Sequence, residues 1–372
     1  MHFETIAIHA GMQVDAETGA LAPPIHLSTT FERSAEGETP RGFDYIRDGN
    51  PTQTRLEEAL AAIDSAEAAL AFASGMAAGT AVLQALPAGS HVLLPDDSYY
   101  AYRALAAAMA GRWNVSIETV AMEDPDVVGA VMRDTTRLIW AETPSNPLMK
   151  IVDIRALAEL AHQRGAALLV DGTFATPALQ RPIELGADIV LHSTTKYLGG
   201  HSDVQGGSLA FATRSGLFEP VEQVRLLTGG VAAPFNSWLV MRGIRSLAAR
   251  MRVHCENARA IASFLSGHPK VEAVFYPGLA EHPRHEMAQR QMSDFGGMLS
   301  FLVRGGRAEA LRVAARTRVF TRATSLGGVE SLIEHRASSE GSESTTPQSL
   351  LRLSVGLEHR DDLVADLQHA LG

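Results

Sequence analysis

Short runs that end in polar or turn residues punctuate the first half of this chain, and segments of helical periodicity lie between them. The runs are Ala68–Ala73, His91–Leu94, Arg137–Trp140, Ala167–Val170 and Asp188–Leu191. Thr54–Ile63, Gly75–Ala85 and Ile154–Arg164 carry apolar residues at helical spacing, the last followed by Gly165. Buried strands that alternate with helices predict an α/β fold with a mostly parallel sheet. In such a sheet, ligands sit at the carboxyl ends of the strands.

Beyond about residue 240 the texture changes. Ser246–Leu265 reads as a long helix, Val271–Phe275 and Met298–Val303 as strands, and Ala308–Ala315 and Asp361–Leu371 as helices. This predicts a smaller α+β domain at the C-terminus. Residues 1–48 are irregular, with Pro23-Pro24, Thr29-Thr30 and a polar run over Glu32–Thr39. Glu340–Pro347 reads as a polar loop. A length of 372 residues accommodates one large or two medium domains.

Charge and cysteine usage exclude several functions. The net charge of −10 gives no basic footprint for nucleic acid. The single cysteine, Cys255, excludes an internal disulfide and a multi-cysteine metal site. The fourteen histidines show no two-ligand spacing with a third partner, so no metal is expected. The N-terminus lacks a basic stretch before a long apolar core, and no stretch reaches the ~18 apolar residues of a membrane span. A cytoplasmic protein without a membrane partner is therefore expected.

Four polar clusters follow predicted strands: Ser74-Gly75-Met76, Glu142-Thr143-Pro144-Ser145-Asn146-Pro147, Asp171-Gly172-Thr173 and His192-Ser193-Thr194-Thr195-Lys196. Parallel strands would bring them to one rim. A helix opening with Ser-Gly offers free amides and a positive dipole end, which suits a phosphate. Ser193 and Thr195 add hydroxyl donors. An aspartate at a strand end pairs with a cationic ring nitrogen, and a desolvated Lys196 supplies a Schiff-base amine. Phosphate cradle, ring-nitrogen acid and lysine together describe a pyridoxal-phosphate site. His192 and His201 flank the lysine motif and read as structural histidines.

The segment Ser193-Thr194-Thr195-Lys196-Tyr197-Leu198-Gly199-Gly200-His201-Ser202-Asp203 resembles the cofactor-lysine signature of the Cys/Met-metabolism family of pyridoxal-phosphate enzymes. Further matching blocks include Tyr45-Ile46-Arg47-Asp48-Gly49-Asn50-Pro51-Thr52, Phe295-Gly296-Gly297-Met298, Ser325-Leu326-Gly327-Gly328 and Leu351-Arg352-Leu353-Ser354. The resemblance covers almost the whole chain. It implies pyridoxal-phosphate fold type I, the aspartate-aminotransferase-like architecture. It also implies an arm (1–48) packing on a neighbouring subunit, a cofactor domain (49–240) and a C-terminal domain (241–372).

The resemblance also implies roles. Lys196 would carry the cofactor and move protons, Asp171 would pair with the pyridine nitrogen, and Tyr99 would stack on the ring. Gly75, Met76, Ser193 and Thr195 would bind the phosphate, joined by Tyr45 and Arg47 from a neighbouring subunit. Arg352 would clamp the substrate carboxylate, and Ser325 and Asn146 would position substrate and cofactor. A homotetramer built from two active dimers, acting on a small amino acid, is expected. The implied chemistry is γ-replacement or γ-elimination, as in cystathionine γ-synthase and γ-lyase. A methionine γ-lyase, a cystathionine β-lyase and an O-acyl-homoserine sulfhydrylase are the alternatives.

Some substrate-selecting positions depart from the family pattern. Ala101 stands where methionine γ-lyases carry a cysteine, and Thr324 where many relatives carry a glutamate. His335-Arg336-Ala337-Ser338 replaces a His-Pro-Ala-Ser segment, and Asp48 follows Arg47 where some γ-synthases have a second arginine. Arg336 reads as a solvated loop arginine, with a pocket charge as the alternative.

Overall fold

The computed structural model describes residues 1–340 and 345–372. Seven strands form the larger sheet: β1 (Ala68–Phe72), β2 (His91–Pro95), β3 (Ser116–Val120), β4 (Thr136–Glu142), β5 (Ala167–Asp171), β6 (Ile189–His192) and β7 (Gly207–Phe211). Their order is β1-β7-β6-β5-β4-β2-β3. β2, β3, β4, β5 and β6 pair in parallel, and β7 runs antiparallel between β1 and β6. β1, β2, β4, β5, β6 and β7 are almost wholly buried, as expected for a sheet covered on both faces. Helix Gly75–Ala85 packs against β1, β6 and β7, and helix Ile154–Gln163 against β4 and β5. The latter buries Ile154, Leu157, Ala158 and Ala161, one apolar stripe at helical spacing.

A second sheet holds β8 (Val271–Phe275), β9 (Met298–Val303), β10 (Thr321–Arg322), β11 (Leu332–His335) and β12 (Leu350–Ser354), in the order β10-β11-β12-β9-β8. Helices Leu247–Ser266, Gly306–Arg316 and Arg360–Leu371 share its core. The chain is thus α/β, with a mostly parallel central sheet and a smaller second sheet.

β3 and β7 were not anticipated from the sequence. β3 is the half-exposed edge strand, so Ser116-Ile117-Glu118-Thr119-Val120 lacks the apolar continuity of its neighbours. Helix Phe3–His9 also interrupts the segment read as irregular. Phe3, Ile6 and Ala7 form a short apolar stripe that packs into the chain's own core beside helix Pro51–Ile63. Of the expected loop at Glu340–Pro347, residues 341–344 lie outside the described residues, and Glu340 ends a short helix, Arg336–Glu340. No helix among the described residues is long and apolar enough to cross a membrane.

Residues 193–200, which include Lys196, lie in a loop seated on the helices that follow the large sheet. A side chain at Gly243 would place its Cβ 2.2 Å from the Leu198 carbonyl oxygen. Gly200 has φ +74 and lies directly beneath the Arg250 guanidinium. The close backbone approach at Gly243 fixes the height of the lysine loop over the sheet rim.

Candidate active site

Strands β1, β2, β4, β5 and β6 run in one direction, β1 through the antiparallel β7, and bring the polar clusters after them to one rim, where a cavity of about 440 Å³ opens. Gly75, Met76, Tyr99, Asn146, Asp171, Ser193, Thr195, Lys196, Ser325 and Arg352, all expected at the site, line this cavity. Tyr45 and Arg47 do not. They border a second, shallower cavity with Gly229, Val231 and Pro234, and Tyr45 is 46% exposed.

One end of the cavity begins at Ser74. Its hydroxyl accepts from the Ala77 amide at 3.0 Å and caps the helix Gly75–Ala85. The amides of Gly75 and Met76 have no acceptor within the helix and belong to its positive end. A Cβ at Gly75 would lie 3.0 Å from Ser193 Cβ and 3.2 Å from Ser193 Oγ, so only glycine keeps this amide and hydroxyl side by side. Thr195 is engaged differently: its hydroxyl donates to the Gly206 carbonyl at 3.1 Å and accepts from the Gly206 amide at 3.0 Å. The donor set of two helix-terminal amides and the adjacent Ser193 hydroxyl fits a phosphate monoester.

Asp171 and Glu142 face each other across the β4–β5 register. Both are buried, and burial pushes both carboxyls up. Their fates diverge with their partners. Asp171 accepts the Thr173 amide at 2.9 Å, and bonds from Thr173 pull it back toward the anion. Glu142 is pushed further by the neighbouring Asp171 charge, and its carboxyl accepts the Tyr99 amide at 2.8 Å. The Thr173 hydroxyl also accepts the Ser193 amide at 2.9 Å, which ties the carboxylate end of the site to the phosphate end.

Lys196 Nζ donates to Ser325 Oγ at 2.8 Å. Burial first, and the Arg352 charge second, lower its amine from the ordinary 10.5 to about 8. Ser325 holds φ +81, a left-handed conformation uncommon for serine, and so serves two partners. Its hydroxyl meets Lys196, and its carbonyl accepts Arg352 Nη2 at 3.0 Å. Arg352 Nη1 donates to Asn146 Oδ1 at 3.0 Å. Burial lowers Arg352 to about 10, with the Glu334 charge opposing, which leaves it cationic at neutral pH.

Tyr99, Tyr100, Tyr102 and Phe174 wall the cavity. Tyr99 lies edge-on to Tyr100 and Tyr102, with centroids 5.1 and 5.9 Å apart. The Tyr102 hydroxyl donates to the Gly75 carbonyl at 2.9 Å.

Arg336 corrects the sequence reading. It is only 3% exposed and lines the cavity, so it is not a solvated loop arginine. Glu334 lies opposite Arg352 in the β11–β12 register and forms ion pairs with both Arg352 and Arg336. Arg336 Nη1 meets Glu334 at 3.2 Å and its Nε meets Glu340 at 3.1 Å. The guanidinium lies 5.1 Å from the Tyr100 ring centroid. Arg352, Glu334, Arg336 and Glu340 therefore form one buried chain of alternating charge. Glu142, Thr173 and Glu334 were assigned no role from the sequence. Glu142 sits in a cluster already singled out there, but Glu334 gives no local signal, because its partner is eighteen residues away on another strand. Thr324 also lines the cavity. Among the described residues, no group of three or more His, Cys, Asp or Glu side chains is placed to hold a metal ion.

A family model described as Cys/Met metabolism PLP-dependent enzyme matches residues 4–372. The chain belongs to this family. A cystathionine gamma-synthase from Mycobacterium tuberculosis is 51% identical, the alignment covering 99% of this chain and 96% of that protein. A cystathionine gamma-lyase from Dictyostelium discoideum is 43% identical over 99% of this chain and 97% of its own. The crystal structure of metB from Corynebacterium glutamicum superposes with a TM-score of 0.97 at 42% identity, covering 100% of this chain and 98% of that one. Members of the Cys/Met metabolism family depend on pyridoxal phosphate (PLP), and the donor set at this rim fits that group.

The lowered Lys196 amine predicts how the apoenzyme loads its cofactor. Only the neutral amine attacks an aldehyde, so the loading rate should rise with pH and level off above about 8. Stopped-flow absorbance after mixing apoenzyme with PLP checks this. A rate still climbing toward pH 10.5 would contradict the desolvated lysine.

Proposed function

We propose that this chain is a transsulfuration enzyme of the cystathionine γ-synthase type. It joins the Cγ of an activated homoserine ester to the thiol of cysteine and releases the acyl group as a carboxylate. One observation carries the reading: Ser325 bridges Lys196 Nζ and Arg352 within a single cavity. An α-amino acid whose carboxylate meets the Arg352 fork has its Cα beside Lys196. The 51% identity to a relative named cystathionine gamma-synthase supports γ-replacement as the outcome.

Bound PLP supplies the electron sink for negative charge at Cα. The chain's own residues supply the rest. The amides of Gly75 and Met76, with Ser193, hold the phosphate. Asp171 would pair with the ring nitrogen and keep it protonated, and Tyr99 would cover a ring face. Arg352 and Asn146 orient the substrate carboxylate. The Lys196 amine takes the Cα proton and moves protons along the carbon chain, and its near-neutral character suits both directions of transfer. Thr324 and Arg336 line the same cavity and would receive the distal end of the substrate.

Tyr45 and Arg47 complete the phosphate site of a partner subunit, and the working form is a cytoplasmic homotetramer of two such dimers. The division into an arm (1–48), a cofactor domain (49–240) and a C-terminal domain (241–372) belongs to the same reading. The exposure of Leu21 (75%), Leu27 (69%) and Phe235 (52%) supports a covering partner.

Product analysis by mass spectrometry tests the chemistry. Holoenzyme given an acylated homoserine and cysteine should form cystathionine, and given cystathionine alone should break it down slowly. Rapid release of cysteine and 2-oxobutanoate from cystathionine would make it a γ-lyase instead, and homocysteine with pyruvate would move cleavage to Cβ. Subunit mixing tests the arm. Lys196→Ala and Arg47→Ala chains should each be nearly inactive, whereas refolding them together should restore activity, because one site of a mixed dimer is then intact. No recovery in the mixture would contradict a site shared between subunits.

A further inference from the structure

β5 and β6 lie side by side with Asp171 opposite Leu191. The next residue on β6, His192, is fully buried, as is Asp64, which follows helix Pro51–Ile63. His192 Nε2 lies 3.0 and 3.1 Å from the two Asp64 carboxylate oxygens. Its other nitrogen, Nδ1, is buried and has no hydrogen-bond partner among the described residues. The ring lies against the backbone that carries Asp171: a Cβ at Gly172 would lie 3.0 Å from His192 Cε1 and 3.6 Å from Nδ1. Glycine at 172 leaves the ring room to lie there.

The charges around Asp171 need a cation on this side. Burial disfavours the Asp171 anion, and Glu142 stands opposite it in the β4–β5 register. Thr173 supplies neutral donors. His192 supplies a basic side chain from the β6 side, with the Asp64 carboxylate behind it. A buried carboxylate such as Asp64 is stable as an anion only beside a paired charge, and an imidazolium supplies it. Burial opposes that charge, but the Asp64 and Asp171 carboxylates outweigh burial and move His192 upward. His192 does not line the cavity, so it reaches neither substrate nor cofactor.

We propose that Asp64 and His192 form a positioning pair that keeps Asp171 anionic beneath the cofactor ring. Asp64 fixes the imidazole and its charge, and His192 presents that charge to the Asp171–Gly172 end of β5. The inference rests on the reading of Asp171 as the ring-nitrogen partner. It extends that reading to two residues outside the cavity.

The test measures the PLP dissociation constant of the full-length apoenzyme at fixed pH, with the visible spectrum of the bound form and the apoenzyme melting temperature. The variants are Asp171→Asn, His192→Gln, Asp64→Asn and the double variant Asp64→Asn/His192→Gln. His192→Gln and Asp64→Asn should each weaken PLP binding about tenfold, the size of a one-unit change in proton affinity at the ring-nitrogen partner. Each should also change the visible band. The double variant should be no worse than the weaker-binding single, because the two residues act as one unit. If Asp64→Asn does not fold, His192→Gln decides by the same ratio. Lower melting temperatures with PLP binding and spectrum unchanged, in a background where Asp171→Asn weakens binding, would overturn the pair's role and leave only a structural one. Unchanged binding in Asp171→Asn would overturn the Asp171 reading and the pair with it.

Discussion

Parallel pairing of β2, β4, β5 and β6 is the constraint on which the rest of this molecule depends. A parallel strand ends on the same edge as its neighbour, so the residue that follows each strand meets the residues that follow the others. Ser74, Tyr99, Asn146, Asp171 and Lys196 span more than a hundred residues of sequence yet line one cavity. The lone antiparallel strand, β7, does not disturb this, because it returns between β1 and β6 and leaves their carboxyl ends on the same rim. The lysine loop then needs a fixed height above the rim. The close backbone contact at Gly243 and the Arg250 guanidinium against Gly200 supply it.

Burial at this rim turns ordinary side chains into reactive ones. The same desolvation that lowers Lys196 raises Glu142 and Asp171, because each effect disfavours the charged form. Which groups stay ionised then depends on local partners. Thr173 and His192 favour the Asp171 anion, and Glu334 keeps Arg352 cationic. The buried chain from Arg352 through Glu334 and Arg336 to Glu340 compensates its own charges and gives the cavity-facing Arg352 a fixed orientation. Breaking one member of such a chain leaves a buried charge unpaired, a cost of about 3–5 kcal/mol.

Much of this was legible in the sequence, for a physical reason. Strands buried on both faces are apolar along their length, so β1, β2, β4, β5 and β6 stand out, and the polar residues that end them mark the site. The half-exposed edge strand β3 carries no such signal. Helix Phe3–His9 was missed because seven residues give only one apolar stripe. Contacts made across register, such as Glu334 with Arg352, depend on which strands pair and have no local signature. Arg336 was misread because the Tyr99 and Tyr100 rings that cover it come from a distant element, while its carboxylate partners, Glu334 and Glu340, lie close by in sequence. Tyr45 and Arg47 show the opposite case. The resemblance placed them at the phosphate of a neighbouring subunit, and within one chain they stand apart from the cavity.

The chain contains three lysines, Lys150, Lys196 and Lys270. Lys150 is held by Asp96 and Glu123, and Lys270 by the Leu371 carbonyl, whereas Lys196 stands half-buried in the cavity with a lowered amine. Borohydride reduction of the PLP-loaded enzyme, followed by peptide mass spectrometry, would show which lysine carries the cofactor. The account predicts one phosphopyridoxyl group per chain, on the peptide that contains Lys196. A stoichiometric adduct on Lys150 or Lys270, with Lys196 unmodified, would contradict it.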